Sequence, residues 1–347
     1  MSEKTPETVL ASLNRGLRRA LEEDPAVILM GEDLLDPYGG SFKVARGLSS
    51  AFPDQVLTTP ISEAGITGMA GGMALRGLRP VVEIMFGDFT TLMMDQVVNH
   101  ITKFQGMYHG QVRVPLVIRT PMGGRRGYGP THSQTLDKLF LGVPGLMVLA
   151  PFHLRGADSL GLPGELLHRA IQAVDAPVLF VENKLQYLLR LLGDEGLAEV
   201  TLREVGAARG LDFPIFTLEI KGAPPPQVTL AAYGYMAHLA LQAMETLAYG
   251  HEIFCELVVP TLLAPFALDP VFDSVRRTGR LLAVEEGTLT LGWGAEVLAR
   301  TAEALGPGLR TAQRLAAREA PIPSAPALEA DCLPDVDDIV TRVLEMV

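Results

Sequence analysis

Short apolar runs alternate with helical stretches along this chain, and that alternation restricts its fold more than any other feature. Asn14 to Glu23 has helical spacing, stops at Asp24-Pro25, and is followed by the apolar run Val27-Ile28-Leu29-Met30. Gln55 to Thr59 and Arg79 to Phe86 read as strands, and Thr90 to Lys103 as a helix. Leu116 to Arg119, Leu146 to Leu149 and Val178 to Val181 are three more apolar runs. Apolar runs of this length, set between helices, predict an α/β fold with a largely parallel sheet covered on both faces. The pattern loosens after Tyr187. The stretch from Leu191 to Gln227 holds Gly193, Gly196, Gly206, Gly210, Gly222 and Pro224-Pro225-Pro226, and is expected to be a linker. Alternation resumes with strands at Val228 to Tyr233, Ile253 to Leu257 and Leu281 to Val284, and helices at Met236 to Tyr249 and Trp293 to Leu305. The expected layout is a first domain over 1–190, a linker over 191–227 and a smaller α/β domain over 228–347.

Composition removes several function classes. The 347 residues suffice for two domains of ordinary size, and the net charge of −11 comes without a polybasic run. Neither nucleic acid nor an anionic membrane suits such a surface as partner. Cys255 and Cys332 have no metal or disulfide spacing, so a reducing compartment is expected, with the cytoplasm as default. Met1 to Thr5 lacks an apolar signal core, and no apolar run reaches bilayer-spanning length.

The candidate site residues cluster after strands, where open α/β sheets usually bind ligands. Thr59-Pro60-Ile61-Ser62-Glu63 sets a lone carboxylate between a strand and a helix rich in Gly65, Gly68, Gly71 and Gly72. That helix face should let another backbone approach closely. Glu63 reads either as a proton-handling group or as a helix N-terminal carboxylate favoured by the dipole. Phe86-Gly87-Asp88-Phe89 offers two aromatics to a flat ring, or two core residues. Gly123 to Gln134 is a glycine-rich loop, expected to be flexible, that carries His132 as a proton shuttle or as an ordinary loop histidine. Glu182-Asn183-Lys184 ends a strand, with Glu182 also readable as a cap or an ion-pair partner. The other histidines show no paired metal spacing. No P-loop and no Gly-x-Gly-x-x-Gly after a strand is present. These residues make half a site, without a phosphate cradle.

Taken together, Pro60-Ile61-Ser62-Glu63, Glu83-Ile84-Met85-Phe86, Met94-Asp95-Gln96-Val97-Val98-Asn99, His132-Ser133-Gln134 and Val143-Pro144-Gly145-Leu146 resemble the beta subunit of thiamine-diphosphate-dependent 2-oxo acid dehydrogenases of the pyruvate, branched-chain and acetoin type. Arg277 to Glu286 and Leu333-Pro334-Asp335-Val336 extend the resemblance. It implies a pyrimidine-binding domain, a transketolase-type C-terminal domain and an α2β2 heterotetramer. Thiamine diphosphate would lie at the α–β interface, with Mg²⁺ and the diphosphate held by an alpha-subunit motif that Gly87-Asp88-Phe89 and Gly193-Asp194-Glu195 do not match. It further implies that Glu63 bonds the aminopyrimidine ring nitrogen, Phe89 packs on that ring, Ile61 lines it, and His132 faces substrate. The resulting activity is 2-oxo acid decarboxylation with acyl transfer to a lipoyl domain of an acyltransferase core. An acyloin-type or biosynthetic transferase and a non-catalytic assembly subunit are the alternatives. Ala173-Val174-Asp175-Ala176-Pro177 departs from the family loop that helps to bind potassium, so the resemblance does not carry that ion over.

Overall fold

The computed structural model describes residues 7–156, 159–207 and 213–347; the N-terminal stretch Met1 to Thr5 and Gly210, both used above, lie outside them. The chain forms two compact units, Met1–Met122 with Leu139–Leu191, and Gly123–Lys138 with Leu192–Val347.

The first unit carries strands β1 (Val27–Gly31), β2 (Val56–Thr58), β3 (Arg79–Glu83), β4 (Val117–Met122), β5 (Met147–Leu149) and β6 (Val178–Asn183). Within it they run in the order β5-β6-β4-β3-β1-β2, with every neighbouring pair parallel. Val27, Leu29 and Met30 of β1, Val117, Ile118 and Met122 of β4 and Val178, Leu179, Phe180 and Val181 of β6 are apolar and buried, which is how the parallel-sheet expectation could be read from short apolar runs. Helices α1 (Val9–Glu23), α2 (Leu48–Ala51), α3 (Glu63–Leu75), α4 (Phe104–Met107) and α5 (Leu162–Ala173) complete the unit. The single helix expected over Thr90 to Lys103 is instead a 3₁₀ turn at Gly87–Met93 and a π-helical turn at Gln96–Ile101. Thr102 explains the wider turn, because its N–H and its hydroxyl both donate to the Val97 carbonyl, five residues back, at 3.2 and 2.9 Å.

The second unit holds β7 (Val200–Ala207), β8 (Pro214–Ile220), β9 (Val228–Ala232), β10 (Cys255–Pro260), β11 (Leu262–Ala264), β12 (Arg280–Thr288) and β13 (Thr311–Ala317), with α6 (Gly234–His251), α7 (Asp269–Thr278), α8 (Trp293–Leu305), α9 (Pro326–Ala330) and α10 (Val336–Leu344). Its sheet has the order β13-β12-β9-β10-β8-β7, parallel from β13 to β10 and antiparallel beyond. The linker expected over 191–227 is therefore corrected, since β7 and β8 are strands of this sheet. Glycine and proline at the ends of that stretch mark turns, and they obscured the strands between them. A second correction moves residues 123–138, expected within the first domain, into the second unit. Among the described residues no helix is long and apolar enough to cross a membrane.

Candidate functional site

Glu63 opens α3 directly after β2, and Ser62 caps the helix by accepting the Gly65 N–H at 3.3 Å. A first-turn carboxylate gains from the helix dipole wherever it points. This one points inward and is only 6% exposed, and no side chain among the described residues is hydrogen-bonded to it. Glu32, which follows β1, lies beside it. Burial first, then the charge of Glu63, pushes the Glu32 carboxyl above its ordinary range, against the N–H that Ser62 donates to it. Sequence reasoning missed Glu32. Its signal was available: it follows the strand whose partner, paired Gly31 to Thr58, leads into Glu63.

The first unit also carries an aromatic cluster. Phe86 and Phe89 meet edge to face at 5.7 Å, Phe42 meets Phe86 in the same manner at 5.7 Å, and Phe42 lies 5.3 Å from Tyr187. Phe86 and Phe89 are half-buried, neither sealed core nor open surface. The 3₁₀ turn bearing Phe89 packs on α3. Ile61, 82% exposed, stands two residues before Glu63. The buried Lys184 ammonium sits 5.2 Å from the centre of the Phe86 ring. Among the described residues no side chain donates to Glu63, and Phe86 and Phe89 are incompletely covered, an arrangement that leaves room for a flat group with a ring nitrogen.

Glu182 belongs to an internal ion cluster. Arg119 on β4 donates to both oxygens of Glu182 at 2.7 and 2.5 Å and also to Glu83, while the Tyr187 hydroxyl donates to Glu182 at 2.6 Å. All four side chains are nearly sealed from solvent. Burial, then the Glu182 charge, drives the Glu83 carboxyl upward against the attraction of Arg119. Glu182 thus takes the ion-pair role.

The glycine helix face also divides. A Cβ on Gly71 would lie 2.9 Å from Ile101 and one on Gly68 3.0 Å from Gln96, so these two serve packing inside the unit. Gly72 faces open space, and Met69 beside it is half exposed. The expected approach surface shrinks accordingly to Ala64, Gly65, Met69 and Gly72. Of the other histidines, His168 pairs with Glu23 at 2.7 Å, and His153 is buried edge-on to Phe152.

His132 belongs to the second unit, whereas Glu63, Ile61 and Phe89 belong to the first. It is half-buried, and its Nδ1 lies 2.8 Å from the Thr131 hydroxyl. The loop is pinned beyond it: Asp137 accepts from the Tyr233 hydroxyl, and Lys138 donates to the Thr288 and Thr290 carbonyls at 3.3 and 2.8 Å. The free flexibility expected of this segment is not what its hydrogen bonds allow. Nearby, burial and the Asp137 charge push the Glu285 carboxyl up to about 8, although it accepts the N–H groups of Trp293 and Gly294 that open α8. Among the described residues, no three His, Cys, Asp or Glu side chains are grouped to hold a metal ion.

Residues 7–188 match the family described as "Transketolase, pyrimidine binding domain", and residues 219–339 match "Transketolase, C-terminal domain". The fold is therefore the transketolase-like pair of domains. A solved chain described as "Split gene transketolase, inactive beta4 tetramer" superposes with a TM-score of 0.72 over 98% of both chains, at 19% identity, a likeness of fold alone. Closer in sequence is the pyruvate dehydrogenase E1 component subunit beta-2, mitochondrial, of Oryza sativa subsp. japonica, 37% identical over 96% of this chain and 84% of its own. The pyruvate dehydrogenase E1 component subunit beta of Leifsonia xyli is 35% identical over 98% and 93%, and the acetoin:2,6-dichlorophenolindophenol oxidoreductase subunit beta of Cupriavidus necator 32% identical over 96% and 95%. The chain belongs to the family of E1 beta subunits of the 2-oxo acid dehydrogenases, oxidoreductase components for which thiamine diphosphate is the expected cofactor.

Proposed function

We propose that this chain supplies the pyrimidine half of a thiamine-diphosphate site, completed by an alpha subunit in an α2β2 assembly in the cytoplasm. The observation that supports this reading most is Glu63, a buried carboxylate without a hydrogen-bonded side chain, in a helix that packs on the turn bearing Phe89. The cofactor, when bound, stabilises the carbanion formed as a 2-oxo acid loses carbon dioxide. Glu63 holds a proton at the pyrimidine ring nitrogen, Phe89 packs on the ring, and Ile61 covers its edge. Glu32 sets a second buried carboxylate beside Glu63. His132 presents an imidazole to the substrate and is suited to move a proton near neutral pH. Mg²⁺ and the diphosphate fall to the alpha subunit, because this chain has neither a phosphate cradle nor a grouped metal site among its described residues. We assign no potassium: the Asp175 and Pro177 carbonyls accept the N–H groups of Val114 and Met147, and the Asp175 carboxylate pairs with Arg79 and Arg113.

The acyl acceptor is a lipoyl domain of an acyltransferase core. Reconstitution with the alpha subunit, thiamine diphosphate and Mg²⁺ should give lipoyl-domain acylation that depends on a 2-oxo acid. Transfer to free aldehydes or ketones, with none to the lipoyl domain, would make this an acyloin-type enzyme. No turnover of any 2-oxo acid would leave an assembly subunit.

A further inference from the structure

Four residues in the first part of the His132 loop have left-handed backbone: Gly123 at φ 95°, Arg125 at 63°, Gly127 at 68° and Gly129 at 72°. Alternation of this kind turns successive N–H groups to one side and forms a concave nest for an anion. The anions here come from the chain itself. Glu329 on α9, 3% exposed, accepts the Arg125 N–H at 2.7 Å on one oxygen and the Gly127 N–H at 3.0 Å on the other. Glu286 on β12 accepts the Gly124 N–H at 2.8 Å. Side chains alternate along a strand, so Glu286 reaches the loop while its neighbour Glu285 reaches the start of α8. The Arg125 guanidinium closes the contact by donating to the Leu333 and Pro334 carbonyls at 3.1 and 2.5 Å. A Cβ on Gly124 would lie 2.5 Å from the Leu333 Cδ1 methyl, which would have to shift to admit it.

A glycine-rich segment has little preference of its own for this path, and Arg125 is held where non-glycine residues rarely sit. Without an anion in the nest, its N–H groups would lose their partners and the segment would open to water. We propose that Glu329, assisted by Glu286, is a positioning residue that holds residues 123–138 in the conformation presenting His132. The link to turnover rests on the reading of His132 as the group that serves the substrate; the clamp itself does not.

Two measurements separate these parts. Arg126 and Gly127 are exposed, so trypsin reports the state of the loop in the full-length chain. Cleavage after Arg126 should rise at least about tenfold in Glu329→Ala and by less in Glu329→Gln, whose amide oxygen keeps one of the two bonds. His132→Ala should leave cleavage unchanged. In the complex with the alpha subunit, kcat should fall by about 10- to 10²-fold in Glu329→Ala with KM for the 2-oxo acid nearly constant, as for a displaced catalytic group. Should Glu329→Ala fail to fold, the nearly isosteric Glu329→Gln carries both measurements. Wild-type cleavage in a folded variant overturns the clamp. Faster cleavage with wild-type kcat, where His132→Ala is impaired, overturns the positioning role. If His132→Ala itself turns over normally, the reading of His132 fails, and faster cleavage still upholds the clamp.

Discussion

Glu63→Gln in the complex with the alpha subunit is expected to assemble normally and to lose at least about 100-fold in the rate of hydrogen–deuterium exchange at C2 of bound thiamine diphosphate. Glutamine has almost the same shape, and Ser62 still caps α3 through Gly65, so the helix should form unchanged. What disappears is a group that can hold and release a proton at the pyrimidine nitrogen. The substitution also removes a negative charge beside Glu32, so the Glu32 carboxyl should titrate lower than in the native chain. Exchange at the native rate would return Glu63 to the role of a helix-terminal carboxylate with no part in cofactor activation.

A comparably large loss, this time of stability, is expected from Arg119→Met. The guanidinium is the shared partner of Glu83 and Glu182, and all three side chains are buried. Removing one member of such a cluster leaves uncompensated buried carboxylates and costs roughly 3–5 kcal/mol. For domains of this size that corresponds to a melting temperature lower by about 10 °C. Adding Glu83→Gln and Glu182→Gln to Arg119→Met should recover part of the loss, because the buried charges then vanish together. A single Arg119→Met variant that melts like the native chain would show that the cluster contributes nothing net.

The first sheet could be read from the sequence because each apolar run satisfies a local rule, and β1, β4 and β6 lie close to where those runs stand. The α8 boundaries, Trp293 and Leu305, were likewise legible from period and flanking glycines. β7 and β13 were not. Each mixes charged and apolar residues, as in Leu202-Arg203-Glu204-Val205 and Gln313-Arg314-Leu315, because each lies at an edge of its sheet. Glu63, Ile61 and Phe89 could be found because each follows a strand in sequence. The partners of the His132 loop could not, because Glu286 and Glu329 join it only through the folded chain. The departure of Gln96–Ile101 from an α-helix has a local cause that the helical period does not show, the return of the Thr102 N–H and hydroxyl to the Val97 carbonyl.

As half of a thiamine-diphosphate site, this chain should not hold the cofactor without its alpha subunit. Calorimetric titration of thiamine diphosphate with Mg²⁺, first into the purified chain and then into its complex with the alpha subunit, tests it most directly. No saturable binding to the chain alone and tight Mg²⁺-dependent binding to the complex is the result expected. Tight Mg²⁺-dependent binding to the chain alone would contradict the claim.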